Sequence, residues 1–574
     1  MSKMRKSLAL IMALVMVTML LAGCGSSGTA GGSGGAASAP VEVPEEGFKF
    51  PLAEKAEISG LTRFAANTEP DPNNRTIYKR LEEKTNVHVN WKTIQGDQWG
   101  DKIALEMANI KTLPEFVNPA GIGDTDILKY AKQGVIIPLE GYITPELMPN
   151  LCKVFEQFPE YRDMSTDENG HIWTLPWIEQ LGSGYTAIQT IGNMPFINVA
   201  WLDFLGLDMP KTTDEFKQVL IAFRDHAAEL KEHFNIAGDI VPMSCIISGG
   251  NEDCTILCNG FGEGYGDPDS GRHIVIDDNK QVICAATTEG WRKGVEWLHE
   301  LYAENLIDPD AFTQEWSTYV AKGKSGRYGV CFSWDVANIA DVSMADIQAG
   351  TADWAPLPML KADVLNLTPN NGSFTSGFDR GRGAVLTANA KNPALICAWL
   401  DQMYDPIQSP QNNWGTYGED DEFDIFVMGT NANGEPMLQH APLGTASPVE
   451  VREAEMVDGC LAVLDNYYGV YVTCPDDAQY HLDWIKDIYT PDMHTKYVFP
   501  NVFMSADDTK TLSNLNADIN KCINTARANG IMNGFTDADW NQLQADLQAY
   551  KLSEYLAIFQ KYVDAASDSM LTAK

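Results

Sequence analysis

Two hydrophobic rhythms take turns along the chain. GLTRFAA runs as a short strand, and in TIYKRLEEKT the residues Ile77 and Leu81 fall on one face of a helix. Val87, Val89 and Trp91 then keep the period of two that suits a half-buried strand. DKIALEMANI predicts a further helix and LPEFVNP a short extended piece, after which DILKYAKQGVIIPL continues the alternation. The clearest helix is KTTDEFKQVLIAFRDHA, where Thr212 and Glu215 fit a capping box and Phe216, Val219, Leu220 and Phe223 recur at helical spacing. WRKGVEWLHELYAENLID places Trp291, Val295, Leu298 and Tyr302 on one stripe. FTDADWNQLQADLQAYKLSEYLAIFQKYVDAA reads as two closing helices. Strands alternating with helices predict an α/β sheet with crossover helices.

The first residues follow another pattern. Lys3, Arg5 and Lys6 precede a nearly unbroken apolar run from Leu8 to Leu20, and small residues then lead to Cys24. That is the layout of a secretory signal, too short and wrongly flanked for a stable membrane span. Leu21-Ala22-Gly23-Cys24 resembles the bacterial lipobox, which implies a diacylglyceryl group on the cysteine thiol and cleavage just before it. The tract GSSGTAGGSGGAASAP is a flexible tether. The expected layout is therefore a signal peptide over 1–23 and a lipidated cysteine with its tether over 24–49, on the outer face of a bacterial membrane. An ordinary cleaved signal is the alternative.

About 530 residues follow, too many for one core, so two large lobes are expected. A formal charge of −37 argues against nucleic acid or an anionic membrane face as partner. Eleven cysteines include Cys24, and the spacing of the other ten gives no disulfide framework. Buried free thiols are the expectation, and Cys254 with Cys258 has no second pair to make a zinc site.

Enzyme signatures fail on inspection. Lys324-Ser325 follows Gly323, but the leading glycine of a phosphate loop falls on Thr318. GFGEGYG lacks the dinucleotide spacing, His299-Glu300 meets Ala303 where a zinc protease needs histidine, and no G-x-S-x-G elbow exists. A glycosidase carboxylate pair remains open from sequence. Aromatic residues are plentiful, with 14 Trp, 20 Tyr and 22 Phe, and Trp99, Trp173, Trp177, Trp334, Trp354 and Trp414 lie where strands end. Such rings either fill core or stack on the C–H face of a sugar.

Several segments together resemble family 1 extracellular solute-binding proteins of ABC importers, in their large Gram-positive lipoprotein branch. LEEKTNVHVNW, LKYAKQGVIIPLEGYI, ENGHIWTLPW and WLHELYAENLIDPD are similar to family signatures, and NVAWLDFLGLDMPKTTDEFKQVLIAF is the most specific of them. Asn198 and Ala200 depart from the usual Arg and Asp before the tryptophan. The resemblance implies an α/β, two-lobed periplasmic-binding-protein-like fold with a hinge and an interlobe cleft. By analogy with maltose-type binders, lobe 1 takes 50–176 and 384–490, and lobe 2 takes 177–383 and 491–574. The same analogy places Trp177 and Glu179 at the hinge, Trp334 and Asp335 on the second-lobe wall, and Arg380 with Arg382 near the returning hinge strand. Trp414 is placed facing the cleft, and Asn67, Thr68 and Asn118 are the first-lobe candidates.

The function implied is capture of a carbohydrate, an oligosaccharide first of all, by hinge closure and its delivery to a membrane permease. No catalytic residue, metal or cofactor is expected, and the protein is expected to act as a monomer. A surface glycoside hydrolase, or a binder of peptide or another small solute, is the competing reading.

Overall fold

The computed structural model describes residues 46–65, 68–180, 193–247, 250–261, 272–362, 377–418, 424–441, 456–474, 476–489, 497 and 499–571. The signal, Cys24 and the tether lie outside the described residues. In chain order the first strands are β1 (Ala56–Phe64), β2 (Val87–Gln95), β3 (Phe116–Val117), β4 (Leu175–Glu179), β5 (Met194–Asn198), β6 (Val241–Met243) and β7 (Ile274–Ile276). They continue with β8 (Val282–Cys284), β9 (Tyr328–Ser333), β10 (Trp354–Pro356), β11 (Phe378–Leu386), β12 (Phe426–Thr430), β13 (Pro436–His440) and β14 (Leu461–Val463).

Local chemistry sets the element ends. The helix Thr76–Thr85 buries Ile77 and Leu81 and stops where Asn86 turns left-handed, at φ 56°. Asparagine is among the few side chains that take that conformation readily. In the helix Thr213–Asp225 the Thr212 hydroxyl accepts from the Glu215 amide and the Glu215 carboxylate accepts from the Thr212 amide. Four helix-end donors are otherwise orphaned, and this reciprocal cap is worth about 1 kcal/mol. The helix Glu289–Ala303 buries Trp291, Val295 and Leu298, while Asp537–Ala549 and Leu552–Ala565 are the two closing helices. Just before these two lies an element that periodicity does not announce, the 28-residue helix Ala506–Asn533. Its buried face includes Thr509, Arg527 and Gly530, so it carries no clean apolar stripe.

Two sheets organise the molecule. The larger runs β14-β4-β11-β3-β1-β2, with β1 parallel to β2 and β3, β14 parallel to β4, and β11 antiparallel to both its neighbours. The smaller runs β10-β5-β9-β6. Each has its own core. Phe116, Leu175, Ile178, Trp399, Tyr404 and Phe426 pack on the larger sheet, and Phe196, Trp201, Phe223, Tyr319 and Phe332 pack on the smaller. The second core also takes in Ile519, Leu547, Tyr555 and Phe559 from the C-terminal helices. The chain thus has the two-lobed α/β form expected. Strand pairing moves the crossings, however. β4 and β11 hold Trp177, Ile178 and Phe378 in the larger sheet's core, beyond the expected limits of 176 and 384, and Ile485 and Tyr489 already pack in the other.

The larger sheet has one irregularity, in its central antiparallel strand. β11 pairs Phe378 with Ile178 and Asp379 with Trp177, then resumes at Ala384 opposite Leu175. Arg380, Gly381, Arg382 and Gly383 therefore bulge out across from Pro176. The bulge is hydrogen-bonded to the chain after β3, with Ala120 N donating to Gly383 O and Gly121 N to Gly381 O, each at 2.7 Å. A Cβ on Gly383 would lie 2.1 Å from the Leu175 carbonyl oxygen. Because that neighbour is backbone in a central strand, Gly383→Ala should lower unfolding free energy by at least about 2 kcal/mol. Urea unfolding followed by tryptophan fluorescence checks this, and an unchanged midpoint would show that the β4 backbone yields.

Candidate ligand-binding site

Every strand of the larger sheet except β11 runs the same way, and open α/β sheets bind ligands outside the carboxyl ends of their parallel strands. Three polar groups meet where β1 and β3 end and β14 begins. Arg63 is the penultimate residue of β1, Arg382 sits in the β11 bulge, and Asp458 precedes β14. Asp458 Oδ2 accepts from Arg63 Nε at 2.6 Å and also from its Nη2, while Oδ1 accepts from Arg382 Nε at 2.8 Å. The carboxylate is buried, with a side chain 6% exposed, whereas the Arg63 and Arg382 side chains are 35% and 27% exposed. Burial pushes the Asp458 carboxyl up, but the charges of Arg382 and Arg63 and their hydrogen bonds outweigh it and hold the group below its ordinary value.

The surroundings fix this bridge from several sides. The Arg382 guanidinium lies 4.3 Å over the Trp177 ring, and its backbone N–H donates to Asp379 Oδ1. Asn118, directly after β3 and 1% exposed, accepts from Cys460 N through Oδ1 at 2.8 Å. It lies so close to Gly459, at φ 129°, that a Cβ there would stand 2.0 Å from Asn118 Oδ1. Arg75 donates through Nη1 to Met456 O on the approach to Asp458. Two buried donors here, Arg75 Nη2 and Trp177 Nε1, have no acceptor among the described residues.

The other expected residues take varied places. Glu179 ends β4, is 2% exposed, and accepts from Asn413 Nδ2 at 2.6 Å. Thr68 is buried and donates its amide to Ala65 O, while Asn67 lies outside the described residues. Trp334 follows β9 in the second lobe. One of its faces is covered by His481, stacked at 4.5 Å and 11°, and His481 Nδ1 donates to the Trp334 carbonyl at 2.8 Å. Asp335, also buried, caps the short turn Val336–Asn338 by accepting from Ala337 N. Arg380 is 4% exposed and ties distant segments together. It chelates Asp124 through Nε and Nη2 and donates to the carbonyls of Met164, Asn501 and Val502. Trp414 is 8% exposed in the larger sheet's core, against Phe426, His440 and Tyr468. Trp99 is core as well, at 3% exposed, and Trp173 donates to Asp167.

The fold thus gathers Asn118 and Trp177 around the Arg63–Asp458–Arg382 bridge, and places Trp334 and Asp335 on the other sheet. Sequence patterning missed Arg63, Asp458 and His481. Asp458 stands 395 positions from Arg63, and no local spacing encodes so distant a pair. The only local sign was the Asp-Gly step in MVDGC, a turn signal.

Comparison with known proteins gives this arrangement a context. The family model described as bacterial extracellular solute-binding protein matches residues 74–409. Over 547 residues, 95% of each chain, the protein is 38% identical to the fructooligosaccharide ABC transporter substrate-binding protein FusA of Streptococcus pneumoniae serotype 4. It is 24% identical to lipoprotein LipO of Bacillus subtilis over 55% of this chain and 54% of that one. The solved structure of S. pneumoniae FusA in complex with kestose superposes with a TM-score of 0.78 at 37% identity, covering 89% of this chain and 99% of that one. A solute-binding protein of Bifidobacterium longum infantis, described as binding HMO, shares the fold at TM-score 0.72 and 21% identity, with 89% and 99% covered. On the family match and the full-length likeness to FusA, the chain belongs to the bacterial extracellular solute-binding proteins.

Proposed function

We propose that this protein is the solute-capturing component of an ABC importer, and that its solute is a short fructooligosaccharide of the kestose and nystose type. The observation that carries the reading is the 38% identity to a fructooligosaccharide binder across 95% of both chains. The site chemistry agrees with it. Guanidinium edges at the sheet edge suit the hydroxyl and ether oxygens of a sugar, and Trp334, with His481 fixed behind it, supports a ring on its remaining face. Micromolar affinity needs roughly −8 kcal/mol. A few charge-assisted hydrogen bonds, at about 1.5–3 kcal/mol each, and one aromatic platform cover that after ordering losses.

Capture works by closing the lobes on the solute. A permease that must tell loaded from empty protein requires the solute to favour the closed form strongly, and groups divided between two sheets supply that difference because both engage only on closure. Asn67, Thr68 and Asn118 are the first-lobe ligands and Trp334 and Asp335 the second-lobe ones, while Trp177, Glu179, Arg380 and Trp414, all buried and engaged by protein groups, support the site from behind. Because β4 and β11 pair within the larger sheet, residues 175–179 and 378–386 go with the first lobe. The mature chain is held to the membrane by acyl chains on Cys24, two of which anchor stably where one is marginal. Glycoside hydrolysis is the second reading, and unchanged sugar after prolonged incubation argues against it.

Kestose at about 100 times its dissociation constant should add about 2.7 kcal/mol to stability, read as a rise in melting temperature, and a glucan trisaccharide should not. Equal shifts with both, or none with any fructan, would remove the substrate assignment. Trp334→Ala should weaken kestose binding at least about tenfold by calorimetry through loss of the stacked ring, with the melting temperature of free protein little changed. Cys24→Ser should shift the protein from the membrane fraction to the medium or to uncleaved precursor; wild-type retention would contradict lipidation.

A further inference from the structure

We infer that Arg382 is the specificity-determining residue of this site, gripping two neighbouring oxygens of a neutral fructosyl chain, with Asp458 and Trp177 as its positioning residues. This rests on the solute class proposed above.

Three features of the bulge set Arg382 apart from a surface arginine. Its backbone is fixed, because Gly381 and Gly383 bring it against the Ile122 and Leu175 carbonyls, where a Cβ would stand 2.6 Å and 2.1 Å away. Its guanidinium plane is fixed by Trp177 beneath and by Asp458 at Nε. Its two terminal nitrogens, by contrast, make no hydrogen bond to the described residues, and the side chain is 27% exposed. A long side chain normally loses much rotamer freedom on binding, and here most of that loss is already taken in folding. The result is a rigid planar fork with its outer edge open.

The same geometry limits what Trp177 can do. At 5% exposed and with Arg382 over its ring, it offers no open face to a sugar. It shapes the site by orienting Arg382. Furanose rings suit such a site. A fructosyl unit is a puckered five-membered ring with exocyclic hydroxymethyl groups and no broad flat C–H face, so it is better held by forked donors than by stacking. The edge offers donors in excess, since both Asp458 oxygens are already taken by Arg63 and Arg382. One carboxylate between two guanidiniums leaves one positive charge, in a chain of net −37. That balance polarises sugar oxygens without making a polyanion site.

The test is calorimetric titration of kestose into wild type, Arg382→Lys, Arg382→Ala, Trp177→Phe and the Trp177→Phe/Arg382→Ala double variant. Lysine keeps the charge and loses the fork, so Arg382→Lys should weaken binding about tenfold or more. Arg382→Ala should weaken it further and, by leaving buried Asp458 with Arg63 alone, should also lower the melting temperature, so affinities are compared at a temperature where every variant is folded. Trp177→Phe should weaken binding when Arg382 is present and do nothing more once it is gone, a non-additivity that a merely structural role would not produce. Wild-type affinity should be the same at low and high salt, as a neutral solute requires. Wild type that binds kestose while both Arg382 variants bind it within about twofold of wild type would overturn the inference and leave the function standing. A steep salt dependence would overturn the neutral class. Wild type that binds no fructooligosaccharide would overturn the proposed function, and the inference with it.

Discussion

The binding edge depends on one buried carboxylate. Asp458 draws in Arg63 from the first strand and Arg382 from the bulge of a strand formed over 300 residues later. Taking a carboxylate out of water is expensive, and one opposing charge often fails to compensate. Here two guanidiniums share it, and each keeps an edge in water, so the desolvation falls mainly on Asp458 and the attraction is counted twice. Removing that anion would leave two like charges facing each other beside Arg75, itself buried with an unsatisfied donor. The bridge also fixes the relative positions of β1, β11 and the approach to β14, which makes the electrostatics of the edge inseparable from its shape.

Two arginines in the bulge divide the labour. Arg380 turns inward and is consumed by Asp124 and by carbonyls of Met164, Asn501 and Val502, with Phe503 beneath its guanidinium at 4.4 Å. It staples the segment entering the long C-terminal helix onto the larger sheet. Arg382, two positions on, turns to Asp458 and to water. A regular strand would send both residues to one face, whereas the bulge lets them reach such different environments.

Much of the architecture was legible in the sequence because it is written locally. The capping box at Thr212 and Glu215, the stripe through Trp291, Val295 and Leu298, and the alternation from Val87 to Trp91 each need only a few adjacent residues to be read. The partners of β4 and β11 were not legible, because strand pairing is a non-local choice. The 28-residue helix Ala506–Asn533 was hidden by the polar residues on its buried face. At the site, the aromatic residues were visible by type but not by role: Trp414 and Trp99 are buried in packed cores, and Trp177 lies beneath a cation. Composition alone does not distinguish a ring that meets a solute from one that meets a leucine or an arginine.

All ten described cysteines are free, and eight of them are buried. Cys258, Cys331 and Cys397 lie so deep that desolvation drives their thiols far from ionisation, which leaves them poor nucleophiles. Among the described residues no disulfide braces the fold, so its stability rests on packing and hydrogen bonds. The same thiols become a built-in clock, since a bulky alkylating reagent reaches the sealed sulfurs only as fast as the chain opens.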